Sequence, residues 1–329
     1  MKPEMTERIF DIKDHDAFGD IALDILRLQS AGNKVYSEFL KSLRVDPLRV
    51  KSVTQIPFLP VEFFKSHKVI TGTRSHLKIF ESSGTTGTVS GRHYVVDPGL
   101  YEKSFVKTFS LFYGEPAGYM IAALLPSYTE RGNSSLVYMM DNLIKKSSYP
   151  GSGFYRDDAE SMIRAIEEAR SNRRKVLLIG VSFALLDLAE KHSPDLHEVI
   201  VMETGGMKGR RKEITRIELH SVLKKAFNVS EIHSEYGMTE LLSQAYSKGE
   251  GIFNCPPWMK ILIRDPLDPL TIIEEPEVTG GINIIDLANI HSCSFISTGD
   301  LGRLHKDGSF EVLGRIDNSD VRGCNLLID

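Results

Sequence analysis

The sequence is poor in cysteine, in long apolar runs and in net charge, and each shortage excludes something. Its three cysteines, Cys255, Cys293 and Cys324, are odd in number and follow no metal-ligand spacing. A disulfide framework is therefore not expected, and a reducing cytoplasm is the default compartment. No apolar run approaches the roughly 18 residues that a spanning helix needs, so no membrane span is expected. The opening MKPEMTERIFDIKDHDAF carries charges throughout and no apolar h-region, unlike a signal peptide. A formal net charge of −4 and a pI of about 6.2 give no electrostatic case for nucleic acid or an anionic membrane surface. Tandem repeats and low-complexity segments are also missing.

What remains is a chain of 329 residues, 41% hydrophobic and 26% charged, which is ordinary for a globular protein with a large core. Helical and strand patterns alternate, pointing to an α/β chain. Residues 15–43 carry Ile21, Ala22, Ile25, Leu26 and Leu28 at helical spacing and predict one or two helices. Residues 157–171 read as an amphipathic helix with an acidic first turn. KVLLIGV (175–181) reads as a buried strand, FALLDLAEKH as the helix after it, and VIVMET (199–204) as another buried strand. GGMKGR comes next, then a helix over 211–227. After about residue 250 the pattern changes to short β-like runs, ILIRD, GINIID, SFIST and SFEVLGR, divided by Pro, Gly and Asp turns. Lys306, Asp307 and Gly308 give a hairpin signal between the last two runs. The sequence therefore predicts an α/β body over 1–250, with mixed sheets flanked by helices, and a β-rich lobe over 251–329.

Four segments carry candidate chemistry. The first is Glu81-Ser82-Ser83-Gly84-Thr85-Thr86-Gly87-Thr88, after the strand-like HLKIF. Its glycines allow backbone N–H groups to turn toward one anion, and its hydroxyls add neutral donors. It lacks the Lys-Ser or Lys-Thr of a P-loop, and a polar surface loop is the alternative. The second is Tyr236-Gly237-Met238-Thr239-Glu240, at the expected carboxyl end of a strand, where ligands of open α/β sheets sit. Tyr236 offers a face for stacking, Thr239 a hydroxyl for phosphate and Glu240 a hard oxygen for Mg²⁺. A helix N-terminus capped by Thr239 is the alternative. The third and fourth are Ser297-Thr298-Gly299-Asp300, expected to end a β run, and Gly314-Arg315. Asp300 could accept both hydroxyls of a ribose, and Arg315 could give a forked contact to ribose or phosphate. An ordinary turn beside a solvated arginine is the alternative.

Taken together and in order, SSGTTGT, YGMTE, STGDLGR and GRIDNSDVRG resemble the adenylate-forming superfamily of acyl-CoA synthetases, peptide-synthetase adenylation domains and firefly-type luciferases. FLPVEFFKSHKV, LLPSYTERGNSSLVYM, LIGVSFALLDLAEK and ETGGMKGRRKEITRIELH further resemble the acyl-protein synthetase branch. That branch includes the fatty-acid-activating subunit of the bacterial bioluminescence fatty-acid reductase. The resemblance covers about residues 55 to 329. It implies the large-domain fold of these enzymes, with ATP and Mg²⁺ as cofactors and a fatty or other carboxylic acid as substrate. It also implies acyl-AMP as product with release of pyrophosphate, then acyl transfer to a cysteine near the C-terminus. An acyl-CoA-reductase-like protein would receive the acyl group.

Residue by residue, the resemblance implies that Ser82, Ser83, Gly84, Thr85, Thr86 and Gly87 hold the phosphates. Gly205 and Gly206 would line the adenine and acyl region, and Tyr236 and Gly237 would meet the adenine. Thr239 would touch phosphate, Glu240 would bind Mg²⁺, and Asp300 and Arg315 would hold the ribose. Two departures stand out. The superfamily's loop ends in a Pro-Lys pair, whereas here Thr88-Val89-Ser90-Gly91-Arg92 follows, leaving Arg92 as a substitute cation. The small C-terminal domain and its catalytic lysine are expected to be missing, because the sequence stops at Asp329. Lys208, Arg210, Arg211 and Lys212 offer other cations, or simply a solvated helix start.

Cys324 is the candidate acyl acceptor. Arg322 beside it could lower its pKa, and Gly323 frees the backbone to swing. Cys255 is expected in a connecting loop, and Cys293 in a β-like run as a small buried hydrophobe. Two other functions fit the same motifs. One is a CoA ligase in which free CoA takes the acyl group. The other is a non-catalytic subunit that binds a nucleotide or acyl adenylate.

Overall fold

The computed structural model describes residues 3–82, 90–126, 132–205, 211 and 214–316. It divides into two compact units, one built from Lys78–His93 and Asp97–Phe253, the other from Met1–Leu77, Tyr94–Val96 and Asn254–Asp329. The division is not a simple cut at residue 250. Residues 1–77 cluster with the segment after 253, not with 78–253.

The first unit is built on parallel strands. Their order is Gly153–Phe154, Tyr119–Leu124, Lys175–Val181, Ile200–Thr204 and Ile232–Tyr236. Ala245–Ser247 then pairs antiparallel to the last. Buried runs such as YMIAAL and the VLLIGV that follows Lys175 are what a sheet covered on both faces requires. The helices Ala159–Ser171, Ser182–Lys191 and Arg216–Phe227 connect strands that run the same way. Their apolar faces join one core with the sheet, including Met162, Ile166, Leu178, Leu185, Leu223 and Phe227. Each such side chain contributes about 1.5–3 kcal/mol relative to exposure. Asp158 caps the first of these helices by accepting from Ser161 N at 3.0 Å.

The helix expected over 211–227 has the bounds Arg216–Phe227. Thr215 and Glu218 form a capping box, each accepting from the other's backbone N–H. That signature fixes the first turn.

The second unit is antiparallel. Strands Ile272–Ile273, Met259–Arg264, Thr279–Asp286, Phe295–Leu304 and Phe310–Arg315 follow in that order, and Leu59–Pro60 pairs parallel to Phe295–Leu304. The turn at 305–309 closes the expected hairpin, with Gly308 at φ +86° and His305 N donating to Ser309 O at 2.8 Å. The residues 15–43 form two helices, His15–Gly32 and Lys34–Ser42, with Asn33 between them as the cap of the second. Two buried amides tie these helices to a turn far along the chain. Gln29 Nε2 donates to the carbonyls of Asn289 and Ile290, while Gln29 Oε1 accepts from Ser294 N at 3.0 Å. Asn33 Nδ2 donates to Ser292 O at 2.8 Å.

Two local expectations change. Ser297, Thr298, Gly299 and Asp300 do not end a β run but lie inside Phe295–Leu304, because the strand continues past a register shift at Leu301 and Gly302. Cys293 lies in the turn before that strand, where it is buried and donates to Phe295 O.

Candidate functional site

The register of the parallel sheet sets Val181, Thr204 and Glu235 side by side, so the carboxyl ends of three strands share one edge. The chain leaves this edge through Ser182, Gly205 and Gly237. Among the described residues no helix lies between Ile232–Tyr236 and Ala245–Ser247. Residues 237–240 form a turn, with Leu241 N donating to Met238 O at 3.2 Å, and lead to Ala245–Ser247. The capped-helix alternative for Thr239 is therefore excluded, and the turn expected there is present.

Glu240 is buried in this turn, and its carboxylate lies over the backbone of Gly91. A Cβ placed on Gly91 would stand 2.5 Å from Glu240 Oε1 and 3.3 Å from Ser82 Oγ. A side chain there would have to displace the Glu240 carboxylate. Ser82 and Gly91 are also hydrogen bonded to each other. Gly91 N donates to Ser82 Oγ at 2.8 Å, and Ser82 N donates to Gly91 O at 3.0 Å. The base of the Gly-rich segment is thus clamped against the Glu240 carboxylate. His93, also buried, places Nδ1 2.9 Å from the carbonyl of Thr239 and ties the same segment to the turn. Sequence reasoning brings Ser82, Thr239 and Glu240 forward separately. It does not single out Gly91 or His93, whose roles come from contacts about 150 residues away in sequence.

Arg92 pairs with Glu81, Nε to Oε1 at 3.2 Å, and Glu81 Oε2 also accepts from Asn133 Nδ2 at 3.4 Å. Arg211 reaches both oxygens of Glu190, at 2.7 and 2.8 Å, and Asp187 as well. The one described cation of the 208–212 motif is therefore fixed to the helix Ser182–Lys191, and is not a solvated helix start.

Behind the same edge lies a buried charge network that the sequence motifs do not announce. Glu203 accepts from Arg216 Nε at 3.2 Å and from Ser182 Oγ at 3.3 Å, and lies 3.7 Å from His220 Nε2. Burial pushes the Glu203 carboxyl up. His220, Arg216 and Ser234 outweigh that and hold it below the usual carboxylate range. The single Ser182 hydroxyl proton is shared between Glu203 and Gly205 O, the latter at 2.6 Å. Gly205 itself sits at φ +68°, a conformation that favours glycine. The network therefore orients the start of the segment after Thr204. Its signal in the sequence is Arg216 and His220 four apart on one helix, behind a strand carrying an acid.

Tyr236 is buried, with its ring 5.9 Å from that of Phe253 in an edge-on contact. Beside it, Glu235 is buried and accepts from the Thr204 hydroxyl. Burial, with the Glu235 carboxylate next, pushes the Tyr246 phenol well above its ordinary range.

Asp300 and Arg315 belong to the antiparallel unit, where they face each other across Phe295–Leu304 and Phe310–Arg315. Arg315 Nε lies 3.5 Å from Asp300 Oδ1. Ser83, Gly84, Thr85, Thr86, Gly87, Gly206 and Cys324 lie outside the described residues. Of the described thiols, Cys255 and Cys293 are both pushed up by burial, Cys293 to about 12. Neither is a thiolate at neutral pH. Among the described residues no helix is long and apolar enough to cross a membrane.

Comparison with solved structures finds ATP-bound MatB from Rhodopseudomonas palustris at 17% identity and a TM-score of 0.54, covering 72% of this chain and 47% of that one. The luciferase-like enzyme from the nonluminescent Zophobas morio mealworm is similar at 18% identity and a TM-score of 0.51, covering 87% and 70%. O-succinylbenzoate coenzyme A synthetase (MenE) from Bacillus subtilis, in complex with AMP, matches at 19% identity and a TM-score of 0.51, covering 76% and 64%. The chain spans about half the length of MatB. No protein-family model and no curated protein matches the sequence. At these identities the likeness is one of fold: the chain has the mixed α/β fold of the large domain of adenylate-forming enzymes.

Proposed function

We propose that the chain uses ATP to activate a fatty or other carboxylic acid as its acyl adenylate and then passes the acyl group to a protein thiol. The observation that carries this reading is the Glu240 carboxylate held over Gly91, at the clamped base of a Gly- and Ser/Thr-rich segment. One end of that arrangement suits phosphate oxygens, and the other suits a hard cation.

The donor set fits Mg²⁺. Among the described residues no three His, Cys, Asp or Glu side chains gather into a metal cage. Mg²⁺ does not need one, because it binds through one or two carboxylates together with water and substrate phosphates. Glu240 would supply that carboxylate, and the ion would neutralise charge on the phosphates.

The chemistry then runs in two steps. A carboxylate oxygen of the acid attacks the α-phosphorus of ATP. The bond to the bridging oxygen breaks, and pyrophosphate leaves with that oxygen. Both reactants are anions, so N–H and hydroxyl donors around the phosphates lower the barrier by favouring the charge that develops. A thiolate next attacks the acyl carbon, the bond to the AMP oxygen breaks, and a thioester remains. Cys324 is our choice for that thiol. Burial holds the other two thiols protonated, and Arg322 lies two residues away. A thioester retains enough activation for an acyl-CoA-reductase-like partner to take the acyl group on to aldehyde.

The direct test is acid-dependent pyrophosphate release across a panel of carboxylic acids. Release with none of them, alongside tight ATP binding, would make the chain a binding subunit. Cys324 is tested by supplying ATP and radiolabelled fatty acid. A label that neutral hydroxylamine removes is expected in the wild type. Cys324→Ser should still make acyl-AMP but retain no thioester. Equal thioester labelling of the Ser variant would move the acceptor to another cysteine.

A further inference from the structure

The antiparallel unit holds a buried cation that the chemistry above leaves unused. Arg264 ends the strand Met259–Arg264 and is buried. The register sets it opposite Gly281 on the neighbouring strand Thr279–Asp286. A Cβ placed on Gly281 would stand 2.5 Å from Arg264 Cζ and 2.7 Å from its Nη1. The missing side chain lets the guanidinium lie across that strand and reach the next one, Phe295–Leu304. There Nη2 donates to Thr298 O at 2.6 Å, while Nη1 donates to Ile282 O at 2.7 Å and to Asn283 Oδ1 at 3.1 Å.

These acceptors mark a bulge. Gly281 pairs with Leu301 and Asn283 pairs with Ser297, so Ile282 alone faces Thr298, Gly299 and Asp300. Carbonyls at such a break in the ladder need donors from elsewhere. Arg264 supplies them for Ile282 and Thr298. The Thr298 hydroxyl completes the arrangement, donating to Ile282 O at 3.0 Å and accepting from Asp300 N at 3.1 Å. The backbone of Asp300 is thus tied through Thr298 to the guanidinium. Taking a guanidinium out of water is costly, and an apolar side chain would fill the same volume without that cost. Bulges re-aim side chains beside functional sites. The carboxylate in this one is Asp300, whose side chain keeps 16% of its surface exposed.

We propose that Arg264 is a positioning residue, which props the bulge at Thr298, Gly299 and Asp300 and so fixes the Asp300 carboxylate for two neighbouring hydroxyls of a ligand. The inference rests on the reading of Asp300 as the ribose-binding carboxylate. Arg264 acts through Thr298 and does not meet the ligand. A carboxylate spans both hydroxyls of a vicinal diol only in a narrow range of orientations, so it gains from a backbone that is held still.

The test measures dissociation constants by titration calorimetry for ATP, 2′-deoxy-ATP and 3′-deoxy-ATP. Binding needs no turnover, so the result does not depend on pyrophosphate release. The wild type is expected to bind ATP about fivefold more tightly than either deoxy analogue, each of which lacks one of the two hydroxyls. Asp300→Ala should abolish that ratio. Arg264→Met and Thr298→Val leave the Asp300 side chain in place, and each should cut the ratio to below about twofold. Thr298→Ser keeps the hydroxyl and should preserve it. A merely structural Arg264 would lower the melting temperature or weaken all three nucleotides alike, and the ratio would not move. A full ratio in Arg264→Met and Thr298→Val, with Asp300→Ala having lost it, overturns the proposal and leaves the ribose reading standing. A ratio that survives Asp300→Ala, or that is absent from the wild type, overturns the ribose reading and the proposal with it. If Arg264→Met does not fold, the Thr298 pair decides alone.

Discussion

In the parallel unit, Glu203, Glu235 and Glu240 are each less than a tenth exposed. In the antiparallel unit, Asp300 faces an Arg315 whose side chain is 83% exposed. The buried acids are held by hydroxyls, a guanidinium and an imidazole, or lie against glycine backbone, and removing one partner leaves a charge without compensation. That pair, 3.5 Å apart with its arginine exposed to solvent, contributes little to stability, about 0–1 kcal/mol. The difference separates two ways of placing a carboxylate. One is rigid and costly to disturb, suited to fixing a loop or a metal. The other is open, and suited to a ligand that must come and go.

Substitutions sharpen that contrast, beginning with the largest effect. Arg216→Ala strands Glu203 beside His220 and should destabilise the fold by about 3 kcal/mol, measured by urea denaturation. Glu203 also predicts a pH signature. Its folded pKa is depressed, so its contribution is complete above the unfolded value of about 4.3 and is lost as pH falls toward the folded value. In Arg216→Ala that acid-side loss should shrink. An unchanged acid limb would assign the pH dependence to other carboxylates.

Next comes Glu240→Gln, which should lower acid-dependent pyrophosphate release about tenfold or more and alter its Mg²⁺ dependence. Normal turnover with a normal Mg²⁺ requirement would demote Glu240 to a residue that only packs on Gly91. Asp300→Ala should raise the ATP concentration needed for half-maximal rate several-fold, by about 1 kcal/mol of binding. Its melting temperature should barely move, because the arginine that it loses is solvent-exposed. A large loss of stability with unchanged ATP affinity would reverse the contrast altogether.

Much of this architecture can be read from the residues. KVLLIGV marks its own strand because an unbroken apolar run suits a sheet covered on both faces. Lys306-Asp307-Gly308 marks its turn because the glycine takes a positive φ. The turn at Tyr236 to Glu240 also follows from its place after a strand. Other features stay hidden because distant partners create them. Gly91 is an ordinary loop glycine until Glu240 lies over it. Arg264 is a basic residue at the end of a strand-like run until the register sets it opposite Gly281. Asp300 reads as a turn residue because Thr-Gly-Asp resembles one, yet cross-strand pairing carries the strand through it. The network of Glu203, Arg216 and His220 is within reach, since an i, i+4 pair of basic side chains facing an acidic strand residue is a local pattern.

The amides of Gln29 and Asn33 have a consequence for how the protein is made. Their partners lie about 260 residues further along the chain, at Asn289, Ile290, Ser292 and Ser294. The parallel unit is nearly contiguous from Lys78 to Phe253 and can complete its sheet while the ribosome still holds the residues after 253. The N-terminal helices emerge first and must wait, their amides hydrated, until residue 294 has been translated. Vectorial synthesis therefore reverses the order of assembly relative to the order of sequence, and long-range closure of this kind is slow.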